Sequence, residues 1–263
     1  QALAAKATHA DHMPHQLTMT ATPIPRSLAM TAYADMDISI LDELPPGRQA
    51  VNSLVMPETR RPQVIARMAS VASQGQQVFW VCPLIEQSQT LQCQAAQHTA
   101  RELKRQLRQL SIDIIHGRLP QEEKAQVLAR FKRGITHILV ATSIIEVGVD
   151  APKAQWMIIE NAERLGLAQL HQLRGRVGRG MQASTCIMLY KSPLTDVAKK
   201  RLALVRRCQD GLRIAEADLK LRGSGELLGA RQSGSLGLQI ADLVRHRHLL
   251  ADVKRVAESM LAT

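Results

Sequence analysis

Short apolar segments alternate with longer amphipathic segments along most of the chain, and this alternation limits the folds that the chain can adopt. The apolar segments have the length and composition of buried strands. They lie at residues 16–20, 77–81, 112–115, 137–141, 155–159 and 185–190. The amphipathic segments have helical periodicity and lie at residues 24–34, 61–72, 95–110 and 121–131. Strands that alternate with helices form a mostly parallel sheet covered on both faces, so the sequence predicts an α/β fold.

Two interruptions of this pattern divide the chain. Pro45 and Pro46 cannot continue a helix or a central strand, because proline lacks the amide donor that both require. After Tyr190 the alternation stops, and helical segments at 195–207 and 213–221 precede a glycine-rich loop and a final helix. We therefore expect three units, at residues 1–45, 46–190 and 191–263. The third is expected to be separate from the sheet, and the chain as a whole to be part of a longer protein.

The charge balance favours a polyanionic partner. Lys and Arg number 34 against 23 Asp and Glu, which gives a formal net charge of +11. A basic ribosomal protein or a merely solvated surface would have a similar balance. Basic residues also outnumber acidic ones after Tyr190, so a polyanion contact is expected there. Because aromatic residues make up only 2% of the chain, contacts to a nucleic-acid backbone are expected rather than base stacking.

Several classes of protein are not supported by the sequence. No apolar run approaches the roughly 18 residues of a membrane span, and the first residues do not resemble a signal peptide. The four cysteines form no CxxC pair, so neither a zinc site nor a disulfide framework is predicted. They are Cys82, Cys93, Cys186 and Cys208. A reducing cytoplasm fits this cysteine usage.

Three arginines and three glycines lie within residues 172–180. Guanidinium groups bind phosphate oxygens, and glycines allow a ligand to approach the backbone, although a basic surface turn has the same composition. The spacing Gln-x-x-Gly-Arg-x-x-Arg resembles the sixth signature motif of superfamily-two helicases. The resemblance implies that Gln172 lies near a nucleotide held by another lobe. It also implies that Arg176 and Arg179 contact the γ-phosphate, with Arg179 as the arginine finger.

The strand at 137–141 runs into a polar segment that resembles the fifth helicase motif. This resemblance implies that Thr142 and Ser143 bind a DNA phosphate and that Gly148 and Asp150 lie near the ribose. A strand followed by a helix cap explains the same residues. Near the start, residues 19–26 resemble the third helicase motif, in which Thr20 and Thr22 would couple nucleotide state to DNA movement. A strand followed by a proline-started helix is the alternative, and the order of the three motifs favours the helicase.

Longer segments resemble one helicase family in particular. Residues 45–48 and 159–172 are similar to the RecG family, as is the turn at His116, where a DNA phosphate contact is implied. Residues 201–234 resemble the helical hairpin and loop that convert closure of the motor into movement of duplex DNA. The matching residues are Arg201, Arg222 and Gln232. Leu212 stands where the family usually has phenylalanine, and a solvated loop flanked by arginines is the alternative for this segment.

The resemblance implies a RecA-like fold of the P-loop NTPase type, followed by a helical hairpin and a C-terminal helix. Residues 1–45 would end the first motor lobe, 46–190 would form the second, and 191–263 would form the translocation segment. The partners would be double-stranded and branched DNA, together with the first lobe and the wedge domain of the same polypeptide. The complete protein would use ATP and Mg²⁺ in the bacterial cytoplasm, near the nucleoid. The chain has no phosphate-binding loop sequence, so it is not expected to hydrolyse ATP unaided.

Three alternatives remain at this point. The transcription-repair coupling translocase shares residues 166–180 but is less similar at 159–164 and at the proline turn. A non-catalytic, basic DNA-binding module would not need an arginine pair that faces a nucleotide. An RNA helicase is disfavoured because the hairpin resembles that of motors that act on double-stranded DNA.

Overall fold

The computed structural model describes residues 49–83, 89–142, 151, 153–178, 180 and 182–222, together with a few single positions outside these ranges. The strand predicted at 16–20 and the helix predicted at 24–34 lie almost entirely outside the described residues, as do the glycine-rich loop and most of the final helix.

The described strands form one six-stranded sheet in the order β1-β6-β5-β2-β4-β3, in which every pair of neighbours is parallel. The strands are β1 (Asn52–Pro57), β2 (Gln77–Val81), β3 (Ile112–Ile115), β4 (Ile138–Ala141), β5 (Ala154–Ile159) and β6 (Thr185–Tyr190). Parallel neighbours require a crossover between strands, and helices supply most of the crossovers. The predicted α/β class with a parallel sheet is confirmed.

Six helices are described, and they cover both faces of this sheet. They are α1 (Arg61–Ser73), α2 (Gln89–Gln106), α3 (Gln121–Arg133), α4 (Leu167–Arg174), α5 (Asp196–Arg207) and α6 (Gly211–Arg222). Helices α1 and α2 pack on one face in a core that includes Trp80, and α3 to α6 pack on the other in a core that includes Phe79. Because successive side chains of a strand point to opposite faces, these neighbouring aromatic residues belong to different cores.

The continuous apolar runs become the central strands. Every residue of β2 and of β4 is buried, as expected for a parallel strand covered on both faces. Helix α3 starts after Pro120 and ends at Gly134, whose φ of +83° supplies the left-handed conformation of a helix C-cap. The predicted bounds of these elements therefore agree closely with the structure.

Some elements differ from the prediction. Strand β1 was not predicted, because Asn52 and Ser53 interrupt its apolar pattern; it lies at the edge of the described sheet, where its Pro57 is tolerated. Helix α4 was not predicted either, and α2 begins at Gln89 rather than at residue 95. The expectation that the tail is separate from the sheet is wrong for its first two helices. Leu202 of α5 and Ile214 of α6 are buried in the same core as Phe79.

Candidate functional site

The carboxyl ends of β3 and β4 bring two of the predicted DNA-binding residues to one edge of the sheet. His116 directly follows β3 and Thr142 directly follows β4, and the two strands are neighbours. The Thr142 amide donates a hydrogen bond of 3.3 Å to the carbonyl of Ile115. In open parallel sheets, ligands bind at this carboxyl edge. Ser143, the next residue of the predicted set, lies outside the described residues.

His116 is largely buried, with 7% of its surface exposed, and within the described part of the chain no partner is found for its Nδ1. Burial lowers the pKa of the imidazole, and the nearby cations Lys124 and Arg118 lower it further. The ring is therefore neutral near pH 7. The Nζ of Lys124 donates to the carbonyl of Gly117 at 2.8 Å, which holds a cation beside this turn. Two positive charges next to the turn favour an anionic ligand.

A carboxylate at the end of β5 organises the other half of the same edge. Oε1 of Glu160 accepts hydrogen bonds from Nε1 of Trp80 at 3.0 Å and from Nε of Arg61 at 2.9 Å. Nη1 of Arg61 also donates to Oε1 of Glu102 at 2.7 Å, and its guanidinium lies 5.3 Å from the centre of the Trp80 ring. The network joins α1, α2, β2 and β5, and the sequence did not predict it.

The protonation of this network follows from its contacts. Burial opposes the charge on Arg61, but the hydrogen bonds and charges of Glu102 and Glu160 outweigh it and raise the pKa of the guanidinium. The hydrogen bond from Arg61 lowers the pKa of Glu102. Burial, followed by the charge of Glu160, raises the pKa of the Cys82 thiol, so this thiol is protonated and is not a nucleophile.

Helix α4 and the turn after it carry the predicted nucleotide-facing residues. Leucines at positions 167, 170 and 173 are buried, whereas Gln172 and Arg176 are partly exposed. Gln172 lies in the last turn of α4, and Arg176 lies two residues past the end of the helix, where its amide donates to the carbonyl of Leu173 at 3.0 Å. Partly exposed amide and guanidinium donors at the end of this helix fit phosphate oxygens. Three further predicted nucleotide residues lie outside the described residues, namely Gly148, Asp150 and Arg179.

The backbone just before Arg179 is fixed by close packing. Gly178 has a φ of +74°, and a Cβ at this position would lie 2.9 Å from Cγ2 of Val51, the residue before β1. Only glycine accepts both the left-handed backbone and this contact. The turn that leads to the predicted arginine finger therefore has a defined conformation.

Arg174, the arginine of the motif to which the sequence assigned no role, is 3% exposed, whereas Gln172 and Arg176 are partly exposed. Its Nη1 donates to the carbonyls of Val205 at 2.6 Å and Cys208 at 2.7 Å, both at the end of α5. Its Nη2 lies 2.8 Å from Nδ1 of His171. Burial lowers the pKa of this guanidinium, which remains charged because an unperturbed arginine titrates far above neutral pH.

Arg201, predicted to hold the hairpin linkage, lies in α5 and reaches toward the segment before α4. Its Nη1 donates to the carbonyl of Leu165 at 3.0 Å and its Nη2 to that of Glu163 at 2.8 Å. Arg222 is the last residue of α6, and its side chain lies outside the described part of the structure. Gln232, Thr20 and Thr22 lie outside the described residues.

Within the part of the chain that the structure describes, no group of three or more His, Cys, Asp or Glu side chains is arranged to hold a metal ion. None of the described helices is long and apolar enough to cross a membrane.

Two protein-family models match the chain. The helicase conserved C-terminal domain matches residues 61–181, which contain β2 to β5 and α1 to α4. A model described as "ATP-dependent DNA helicase RecG, domain 3, C-terminal" matches residues 208–263, beginning just before α6. The second match favours RecG over the transcription-repair coupling translocase.

Curated relatives with the name ATP-dependent DNA helicase RecG align with nearly the whole chain. The protein of Acidithiobacillus ferridurans is 55% identical over 249 residues, which are 95% of this chain and 36% of the relative. That of Escherichia coli K12 is 56% identical over 245 residues, or 93% of this chain and 35% of the relative. The chain thus spans about a third of the length of these relatives.

Solved structures give the same result. A structure of RecG bound to a three-way DNA junction matches with a TM-score of 0.67 and 41% identity, over 88% of this chain and 30% of that one. Saccharomyces cerevisiae Dbp5, solved with RNA and ADP BeF3, matches with a TM-score of 0.50 and 13% identity, over 75% of this chain and 52% of that one. This second likeness concerns the fold alone, which is that of a RecA-like helicase lobe.

Proposed function

This chain belongs to the RecG family, as its C-terminal motor region, and on that premise we propose that it is the second motor lobe and translocation segment of an ATP-dependent helicase that remodels branched DNA. The observation that carries the proposal is the geometry of α4. This helix buries its leucines, and Gln172 in its last turn and Arg176 in the turn after it are both partly exposed. The substrates are stalled replication forks and Holliday junctions, and the setting is the bacterial cytoplasm near the nucleoid.

The chain contributes the second half of an ATP site. It has no Gly-x-x-x-x-Gly-Lys-Ser/Thr sequence, so the phosphates of ATP and the accompanying Mg²⁺ are held by the first lobe of the same polypeptide. Arg176 and Arg179 neutralise charge on the γ-phosphate, and Gln172 orients the nucleotide. We assign the ribose contacts to Gly148 and Asp150. An arginine finger of this kind accelerates hydrolysis by about 10³ to 10⁵.

The DNA contact lies at the carboxyl edge of the sheet. We assign the contacts with the phosphate backbone of the duplex to His116, Thr142 and Ser143, and the cations near His116 increase the local concentration of DNA. Thr20 and Thr22, in residues 1–45 that end the first lobe, link nucleotide state to this contact. The wedge domain of the same polypeptide opens the junction, and the motor then moves the DNA past this domain.

The translocation segment begins after the second lobe, which extends from residue 46 to 190. Arg201, Arg222 and Gln232 hold the hairpin and loop of residues 191–263 to the motor. The contacts of Arg201 with the carbonyls of Leu165 and Glu163 support this role, because they join α5 to the segment just before α4.

The proposal is tested in the full-length protein with Arg179→Ala. We expect DNA-stimulated ATP hydrolysis to fall by at least about 10³, the lower value for an arginine finger, while affinity for forked DNA changes by less than about twofold. The matched control is Arg133→Ala, which removes an exposed arginine from the opposite edge of the sheet. Retained hydrolysis with lost DNA affinity would instead indicate a non-catalytic DNA-binding module.

A further inference from the structure

Helices α4 and α5 are joined by two arginines that reach in opposite directions. Arg174 of α4 donates to carbonyls at the end of α5, and Arg201 of α5 donates to carbonyls in the segment that precedes α4. Each arginine makes two hydrogen bonds to backbone, so side-chain substitutions at the acceptor positions do not remove the acceptors. We call these two residues and their four acceptor carbonyls the arginine cross-link.

The two contacts of α5 lie apart along its axis. Arg201 is anchored near the middle of the helix, whereas the carbonyls that Arg174 holds are four and seven residues farther on. At 1.5 Å per residue this separation is about 6 to 10 Å along the chain direction. A helix held at one point can pivot about it, but two separated points also fix its direction. Arg174 therefore sets the orientation of α5 relative to α4.

The chemistry of the contact requires arginine. The carbonyls at the end of a helix lack intrahelical partners and carry partial negative charge, which a buried guanidinium satisfies. The planar guanidinium reaches the Val205 and Cys208 carbonyls with one nitrogen and His171 with the other. A lysine has one ammonium on a flexible stem and cannot satisfy all three acceptors in this arrangement.

Arg174 also lies next to the predicted nucleotide contact. Arg176 follows two residues later, and the Val177 amide donates to the carbonyl of Arg174 at 3.3 Å. Val177 is fully buried, and Gly178 packs against Val51. A displacement of Arg176 is therefore carried through a short, packed turn to Arg174, and from there to the end of α5.

We propose that Arg174 is a positioning residue that makes α5 move with α4 when the nucleotide state changes, so that hydrolysis is coupled to DNA movement. The inference rests on the proposed function. Arg174 itself is not assigned a contact with nucleotide or DNA. Its loss leaves the residues proposed for hydrolysis in place and removes the fixed direction of α5.

The experiment uses the full-length protein with Arg174→Gln and Arg174→Lys, and it measures both DNA-stimulated ATP hydrolysis and fork regression. The quantity of interest is the number of base pairs regressed per ATP hydrolysed. We expect this ratio to fall by about tenfold, a change within the range for residues that couple distant sites, while hydrolysis falls by less than about threefold. The matched control is Arg207→Gln, which alters an exposed arginine at the end of the same helix and should leave the ratio unchanged.

A purely structural role for Arg174 would lower hydrolysis and regression in proportion, and an unchanged ratio overturns the inference. An unmodified protein without DNA-stimulated hydrolysis or regression would instead overturn the proposed function. A second measurement needs no variant. In the unmodified protein on forked DNA, a non-hydrolysable ATP analogue should change hydrogen exchange at residues 171–174 and 205–208 together. A response confined to residues 171–174 contradicts the inference even if both Arg174 variants fail to fold.

Discussion

Gly178 and Val51 approach so closely that a methyl group at position 178 would lie 2.9 Å from Cγ2 of Val51. This contact joins the turn after α4 to the residue that precedes β1. Gly178→Ala introduces both this overlap and the strain of a non-glycine residue at a φ of +74°. We expect a loss of about 2 to 4 kcal/mol in the free energy of unfolding, measured by chemical denaturation.

The control for this substitution is Gly75→Ala. Gly75 has a nearly identical φ of +82°, but nothing lies within 4 Å of the position that a Cβ would occupy. Its substitution reports the backbone strain alone, which we expect to cost about 1 kcal/mol. Equal losses for the two variants would mean that the turn moves away from Val51 without cost, and that it is not held by this packing.

The Glu160 network is expected to stabilise the carboxyl edge of the sheet. Glu160→Gln removes a charge that faces the partly buried Arg61, which is then paired with Glu102 alone. The variant should lose about 1 to 3 kcal/mol of unfolding free energy, because a hydrogen bond to a charged group is replaced by a weaker one. Glu58→Gln is the control, since its pair with Lys191 is 3.9 Å long and half exposed, and its loss should not exceed about 0.5 kcal/mol. Indistinguishable losses would contradict a structural role for Glu160.

The strands could be predicted from sequence wherever a strand is buried on both faces, because burial leaves a continuous apolar run such as that of β2. Strand β1 escaped prediction because Asn52 at its start is exposed and an edge strand needs no such run. The sequence also marked residues 172–180 as a phosphate-binding motif. Composition alone did not separate Arg174, which is buried, from Arg176, which is partly exposed, and only the helicase spacing distinguished them.

Contacts between distant positions were beyond prediction for a different reason. Arg61 and Glu160 are 99 residues apart, and Arg174 and Val205 are 31 residues apart. Such pairs form only when the order of strands and the packing of helices are known, and neither follows from local periodicity. A carboxylate directly after a buried strand, as at Glu160, was the one local signal that could have indicated an organised edge.

The stability of the chain should depend on pH through His116. Because the pKa of this imidazole is lowered by burial and by the cations Lys124 and Arg118, the unfolded chain binds the proton more readily than the folded chain. The stability contributed by the neutral ring is therefore fully present above the ordinary value of 6.5 and is lost as the pH falls below it. On acidification, the free energy of unfolding should therefore fall more for the unmodified chain than for His116→Gln. Denaturation curves at several pH values measure this difference, and a constant difference would mean that the pKa of the ring is the same in the folded and the unfolded chain.

The cations beside His116 should contribute directly to DNA binding in the full-length protein. Lys124→Gln removes a charge that is held at the carboxyl edge by the carbonyl of Gly117. Affinity for duplex DNA should decrease. The slope of log affinity against log salt concentration should become shallower by about one, because one phosphate contact is lost. Lys132→Gln, an exposed position near the end of α3 at the opposite edge, should leave the slope unchanged. If Lys132→Gln reduces the slope as much as Lys124→Gln does, the DNA is attracted by the overall positive charge, and the carboxyl edge is not its specific contact.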